Sequence, residues 1–491
     1  MASVISVAPD NIPQFDELYS VSDLHMGGRT GFQIFASGHE LAALIEHVRT
    51  LDPGRKIAFV INGDAVDFLA EPDAKAFDPA GAVAKLTRIM DDPAFKPAWD
   101  GLRAFVRTER RHLIITLGNH DLELALPWVR AHFLNLLAGD DEAARGRITL
   151  AFDGAGYLCR VGTADILCVH GNEVDDWNVT DFEAIRRLGT DVQQGRPVED
   201  WMPNAGTKLV IEVMNDIKKS YPFVDLLKPE AEGVLPTLVA IAPEKRSKIG
   251  NAIPALTRLA TDKVRRFFGF LGAEDEDDDP GSARNEARLA LLHPAVRMNA
   301  TALLALTEER LLKDVEPISL VPDEEREGQL GIGSAIFSGV TGGEPSEVLR
   351  DALEQVRKDR SFDHGAADGT FDLLDRLVGP NVHFLLAGHT HLERALARGR
   401  GRGWYFNSGT WARLIKLERD VLAEKDKFAE VYTALTAGTI AALEKFVVDR
   451  RTVIAIRQDA ATTKGELLHW TSRSGAFALE AVDPPAAFVK S

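Results

Sequence analysis

Short apolar runs that break off into polar clusters dominate the first third of the chain. Leu18-Tyr19-Ser20-Val21 runs into Ser22-Asp23-Leu24-His25, and Ile57-Ala58-Phe59-Val60-Ile61 runs into Asn62-Gly63-Asp64. Leu113-Ile114-Ile115-Thr116-Leu117 runs into Gly118-Asn119-His120-Asp121. β-Branched and aromatic content predicts strands, with Gly or Asp marking each exit. Helical periodicity lies between them, over 40–51 and 99–110. A hairpin is expected next, with arms at 157–161 and 165–169 about Gly162-Thr163, ending in His170-Gly171-Asn172.

From about Asp175 the pattern turns mostly helical for roughly 200 residues, with predicted helices over 208–219, 248–271, 285–313 and 346–358. An acidic run at 274–279 before Pro280-Gly281 reads as a solvated loop and lacks the spacing of an EF-hand. The Gly-rich stretch 328–343 has neither the lysine nor the spacing of a phosphate-binding P-loop. Strands return at 382–386, running into Gly388-His389-Thr390-His391, and at 404–406, running into Asn407-Ser408-Gly409-Thr410. A helix over 428–447 and strands over 452–457 and 466–471 close the chain. This alternation predicts an α/β domain interrupted by a helical insertion: core over 1–175 and 379–491, insertion over 176–378.

With 491 residues, 45% hydrophobic and 27% charged, the composition is that of a globular protein able to bury a large core. The formal net charge of −17 argues against broad nucleic-acid binding, while a local basic groove stays open. The first residues lack a basic start and an apolar stretch, so no secretory signal is expected. Nowhere do about 18 apolar residues run together, so no transmembrane helix is expected. Cys159 and Cys168 are the only cysteines, one on each arm of the hairpin; this points to reduced thiols and a cytoplasmic protein.

The polar clusters carry the chemistry. In open α/β sheets ligands gather beyond the carboxyl ends of the strands. Five clusters spread over about 370 residues therefore have a common place to meet. Together they supply Asp23, His25, Asp64, Asn119, His170, His389 and His391. Four imidazoles, two carboxylates and one amide exceed what one four-coordinate zinc needs. Mixed nitrogen and oxygen donors without thiolate suit Mn, Fe, Zn, Ni or Co. Seven donors suffice for two metals if one carboxylate is shared. Alternation along Gly388-His389-Thr390-His391 turns both imidazoles to one face.

In this order the clusters resemble the calcineurin-like metallophosphoesterase superfamily, bacterial type. Its pattern is Asp-x-His, Gly-Asp-x-x-Asp, Gly-Asn-His-Asp/Glu, a His before Gly, and Gly-His-x-His. The chain matches with Asp23-Leu24-His25, Gly63-Asp64-Ala65-Val66-Asp67, Gly118-Asn119-His120-Asp121, His170-Gly171 and Gly388-His389-Thr390-His391. The resemblance spans about 15–175 and 380–415 and implies a four-layer α/β/β/α sandwich. It further implies a metal-dependent phosphoester hydrolase with a dinuclear metal centre, manganese favoured. Asp23, His25, Asp64 and His391 would hold one metal, and Asp64, Asn119, His170 and His389 the other. Two divalent cations about 3.5–4 Å apart repel; a shared carboxylate and a bridging hydroxide offset that and supply a nucleophile near neutral pH. His120 would give a proton to the leaving oxygen, oriented by Asp67, and Asp121 would support the Asn119 loop.

Protein phosphatases of the superfamily follow Gly-Asp-x-x-Asp with Arg-Gly, whereas Phe68-Leu69 follow Asp67 here. A phosphodiester or pyrophosphate is therefore favoured over a protein monoester, with Arg29 and Arg394 as candidate substrate contacts. The expected partner is a small phosphoester, nucleotide or lipid-linked. A nuclease and a non-catalytic scaffold of the same fold are the alternatives. Acyl-chain binding would resemble the superfamily's UDP-2,3-diacylglucosamine pyrophosphatases, which typically carry Gly-Asn-Arg-Asp where this chain has His120. Basic and aromatic residues over 263–271 belong to the insertion, a candidate lid.

Overall fold

The computed structural model describes residues 11–175, 178–197, 362–399, 403–416, 424–437, 441–448, 450–473 and 475–490, with isolated positions within 203–226 and 346–350 and at 421 and 439. The predicted helices at 248–271 and 285–313, the acidic run, the Gly-rich stretch and the basic-aromatic segment lie outside the described residues. The chain divides into two compact units, one of residues 1–226, 360–416 and 446–491, the other of 227–359 and 417–445. Within the second unit the helix Lys425–Thr436 buries Phe428, Val431 and Leu435, and Lys425 pairs with Glu347.

The first unit contains the strands. In chain order they are β1 (Gln14–Phe15), β2 (Glu17–Val21), β3 (Ile57–Asn62), β4 (Arg111–Thr116), β5 (Ile148–Ala151), β6 (Tyr157–Val161), β7 (Ala164–Cys168) and β8 (Phe384–Ala387). They continue with β9 (Glu393–Ala397), β10 (Trp404–Ser408), β11 (Leu414–Ile415), β12 (Val447–Val448), β13 (Thr452–Asp459), β14 (Thr462–Arg473), β15 (Ala476–Ala481) and β16 (Ala487–Lys490). One sheet has the order β15-β14-β13-β2-β3-β4-β5, with β16 also on β14; the other runs β1-β6-β7-β8-β10-β9. At the centre of the first, β2, β3 and β4 are parallel, Ser20 opposite Val60 and Val60 opposite Ile114. At the centre of the second, β7, β8 and β10 are parallel, Leu385 lying between Leu167 and Tyr405.

Both faces of β3 are apolar because both are covered. Phe59 and Ile61 pack with Leu113 and Ile115 against helices α1 (Gly38–Thr50), α2 (Ala82–Asp91), α3 (Lys96–Arg107) and α4 (Pro127–Ala138), through Leu44, Leu86, Trp99, Phe105 and Phe133. Ala58, Val60 and Ile114 face the other way, onto Cys159, Ile166, Phe384 and Phe406 of the second sheet. Leu385 and Tyr405, on its outer face, pack with Leu374 and Phe371 of the helix Gly369–Leu377. The layers are therefore helix, sheet, sheet, helix, the expected α/β/β/α sandwich. Each wholly buried aliphatic or aromatic side chain in these interfaces contributes about 1.5–3 kcal/mol.

Both cysteines are free and buried between the sheets, and burial pushes the Cys168 thiol up to about 12. The closing helix is shorter than the expected 428–447. It ends at Thr436, and Ala441–Phe446 form a 3₁₀ turn leading into β12, which pairs with β11. Over 208–219 the expected helix contains a π-helical stretch, Val210–Met214, followed by an α turn, Asn215–Lys218. Among the described residues no helix is long and apolar enough to cross a membrane.

Candidate metal centre

Every predicted cluster leaves the carboxyl end of a central parallel strand: β2, β3 and β4 of one sheet, β7 and β8 of the other. After β2 the chain continues beside the loop after β3. Asp23 N donates to Gly63 O at 3.2 Å, His25 N to Asp64 O at 2.9 Å and Asp67 N to Met26 O at 3.0 Å. Leu24 and Met26 go into the core, so Asp23 and His25 turn the opposite way. Turning them costs backbone strain. Asp23, His25, Asp64, His389 and His391 all have φ between 48° and 69°, a region that side chains with a Cβ rarely occupy. Such strain persists where the surroundings over-determine it and gathers at functional sites.

The side chains converge. His25 Nε2 lies 2.9 Å from His391 Nε2, 3.7 Å from Asp64 Oδ2 and 4.0 Å from Asp23 Oδ1. His391 Nε2 lies 3.4 Å from Asp23 Oδ1, and His170 Nε2 lies 3.1 Å from Asp64 Oδ2. Three triads have donor atoms all within 4.8 Å of one another: Asp23-His25-His391, His25-Asp64-His120 and Asp23-Asp64-His170. His389 joins through its backbone, its N–H shared between the two Asp23 oxygens at 3.0 Å; its Nε2 meets Asp175 Oδ2 at 2.7 Å. Asp175, four residues beyond the His-Gly block, was not legible as its partner in sequence.

These residues fit divalent cations. His170 Nδ1 donates to Asn62 O at 2.9 Å, which turns Nε2 toward Asp64 Oδ2 at 3.1 Å, where a cation could take the place of its proton. His25 does the same through Nδ1 and Asp67 Oδ2, at 3.3 Å. Asn119 Oδ1 is buried and accepts no hydrogen bond. The motif glycines make room for the donors: a Cβ on Gly63 would sit 2.1 Å from His170 Nδ1, on Gly118 2.1 Å from Asp64 Oδ1, and on Gly388 2.5 Å from Asp23 Oδ2.

Electrostatics point the same way. Burial raises the Asp23 carboxyl, and the neighbouring Asp64 charge adds to that, while His170 opposes it. Burial would also raise Asp64, but the imidazoles of His170 and His120 hold it well below the carboxylate range. His170 is driven by Asp64 and Asp23, against its own burial, up to about 10. Buried carboxylates thus pull protons onto imidazoles to balance their charge. A divalent cation supplies that positive charge instead, and metal binding then releases the protons.

His120 stands at the edge, its side chain one-fifth exposed, with Nδ1 3.1 Å from Asp67 Oδ1. Burial lowers it, but Asp67 and Asp64 outweigh that and raise it to about 9. Asp121 is buried and ties two loops together, accepting from Gly118 N at 2.7 Å and Ala65 N at 2.8 Å. Asn407 donates to Gly388 O at 2.6 Å and Thr410 Oγ1 to Asp23 O at 2.6 Å, so β10 braces two loops of the cluster. The two candidate arginines have the following neighbours. Arg394 is buried on β9, with Nε donating to Asp368 Oδ2 at 3.0 Å and Nη1 to Glu393 O at 2.9 Å. Arg29 is exposed, stacks over Phe32, and lines a cleft of about 330 Å³ with Glu71 and Arg88.

A buried carboxylate–imidazole cluster at the strand ends of an α/β/β/α sandwich supports a metal-dependent phosphoesterase. The sequence model of the calcineurin-like phosphoesterase family matches residues 18–224, which supports membership of the metallophosphoesterase superfamily. No curated protein and no solved structure matches it.

Proposed function

We propose that the protein hydrolyses a phosphodiester or pyrophosphate with a dinuclear centre. Asp23, His25, Asp64 and His391 would hold one metal, and Asp64, Asn119, His170 and His389 the other. The observation that carries this reading is the meeting of Asp23, Asp64, His25, His170 and His391 donor atoms within a few ångströms, with Nδ1 of His25 and His170 engaged outside the cluster and Nε2 turned into it. Bound there, the metals supply an acidified water and positive charge for phosphoryl oxygens. The chain's own residues do the rest. Asp67 faces both His25 and His120, orienting each ring. His120, held at Nδ1 by Asp67, gives its proton to the leaving oxygen. Asn62 fixes the His170 tautomer. The side chains after Asp67, Phe68 and Leu69, are buried and apolar, so the loop brings no guanidinium for a monoester dianion.

The test is hydrolysis of bis(p-nitrophenyl) phosphate beside p-nitrophenyl phosphate by the Mn²⁺-loaded protein. Diester turnover should exceed monoester turnover, and His120→Asn should lower kcat by about 10²–10⁴-fold with metal content unchanged. Turnover of the diester at the same rate by the His120→Asn variant contradicts the assigned proton donor. No turnover of either ester with both metals bound contradicts the hydrolase reading.

A further inference from the structure

The loop that follows His170-Gly171 turns back onto two candidate ligands that come from different strands. His389 Nε2 lies 2.7 Å from Asp175 Oδ2, and the same oxygen accepts from Asn178 Nδ2 at 2.8 Å. Asn178 Oδ1 in turn lies 3.5 Å from Asn119 Nδ2, while Asn119 Oδ1 is buried and accepts no hydrogen bond. Asp175 and Asn178 thus link His389, after β8, to Asn119, after β4. The linking residues are themselves held. Asn178 N and Val179 N both donate to Asp175 O, at 3.0 and 2.7 Å, and buried Asn172 donates through Nδ2 to Asn178 O at 3.0 Å.

An imidazole with one nitrogen committed to a hydrogen bond offers the other to a cation. His25 and His170 commit Nδ1, to Asp67 and to Asn62, and turn Nε2 into the cluster. His389 does the reverse, with Nε2 committed to Asp175. A carboxamide likewise binds a cation only through its oxygen, so holding Asn119 by Nδ2 reserves Oδ1 for that task.

We propose that Asp175 and Asn178 are positioning residues for the second metal. Asp175 holds the His389 ring so that it coordinates through Nδ1, and Asn178 holds Asn119 so that Oδ1 faces the ion. Partners of this kind fix the ring of a metal-bound histidine and raise its basicity, and losing one lowers metal affinity about 10–100-fold. The effect falls on the second ion because His389 and Asn119 belong to that ion alone. The inference rests on the dinuclear reading above.

The test is calorimetric titration of Mn²⁺ into the metal-free full-length protein, with thermal unfolding measured in parallel. Asp175→Ala should weaken the second ion about 10–100-fold and leave the first within about threefold. Asp175→Asn keeps an acceptor oxygen for Nε2 and should restore most of that loss. Asn178→Ala should weaken the second ion severalfold, and Glu183→Gln, on the exposed start of the next helix, should leave both ions unchanged. Long-range proton–nitrogen correlation NMR of the Zn²⁺-loaded protein with labelled histidine should show His389 bound at Nδ1 and protonated at Nε2. Two ions of wild-type affinity in Asp175→Ala overturn this inference alone. Equal weakening of both ions, which marks a merely structural role, also overturns it, as does coordination of His389 through Nε2. A wild type that binds a single Mn²⁺ contradicts the dinuclear reading and this inference with it.

Discussion

Gly118→Ala tests whether the cluster is built around room for Asp64. Gly118 has no left-handed φ, so the backbone accepts alanine. The added Cβ would lie 2.1 Å from Asp64 Oδ1 and 2.5 Å from Asp64 N, where ordinary contact begins at 3.4 Å. Something must yield by about 1 Å. The Gly118 loop is fixed, since Gly118 N donates to the buried Asp121 carboxyl, so Asp64 has to move, backbone as well as side chain. Overpacking of this kind costs about 1–3 kcal/mol. The effect on metals should be larger in kind. Ligand distances are held to within about 0.2 Å, and disturbing even the groups behind a ligand lowers affinity about 10–100-fold. In the proposed centre both ions depend on Asp64, so both should weaken. The assay is Mn²⁺ titration by calorimetry beside thermal unfolding of the metal-free protein. Gly369→Ala, whose Cβ would meet nothing within 4 Å, is the control and should bind as wild type. A Gly118→Ala protein that binds two Mn²⁺ with wild-type affinity refutes the reasoning.

Two further perturbations probe the scaffold. Glu123 is buried, and burial raises its carboxyl from the usual 4.5 to about 7, despite the bond it accepts from Asp78 N. Its protonated form is favoured by folding, so that stability is full below about 4.5 and is lost as pH rises through about 7. Glu123→Gln should therefore stabilise the protein above pH 7 by up to about 3 kcal/mol and have little effect near pH 4.5; an equal change in denaturant midpoint at both pH values would contradict this. Glu393 is buried between His469 Nε2 at 2.7 Å, Thr452 Oγ1 at 2.8 Å and Arg450. Glu393→Ala strands its cationic partner and should cost about 3–5 kcal/mol in urea unfolding, with a loss under about 1 kcal/mol showing that the group is not structural.

The central strands β2, β3 and β4 were legible because they are apolar on both faces and end abruptly in Gly or Asp, whereas the four-layer order was implied only by the family resemblance. The edge strands β5, β9, β15 and β16 were not, since they are short, partly exposed or mixed in character, and tertiary pairing decides them. The ligand blocks were legible as residue types after strands. Their left-handed backbone was not, because nothing local in Asp-Leu-His demands it; the pairing of the Asp23 and Asp64 loops imposes it. Arg394 shows how adjacency misleads. It follows the His389 block, but the register of β9 on β10 places it where Asp368 and backbone carbonyls take its guanidinium. The contacts of Asp175 with His389 and Asn215 with Leu69 join residues 214 and 146 positions apart, and no local pattern encodes them.

The most direct test of a dinuclear hydrolase is to follow bis(p-nitrophenyl) phosphate turnover while Mn²⁺ is added in counted equivalents to the metal-free chain, with Asp64→Asn in parallel. Turnover that rises only as the second equivalent binds, and is absent in Asp64→Asn together with tight binding of both ions, is the expected result. Full turnover at one equivalent, or wild-type turnover in Asp64→Asn, would contradict it.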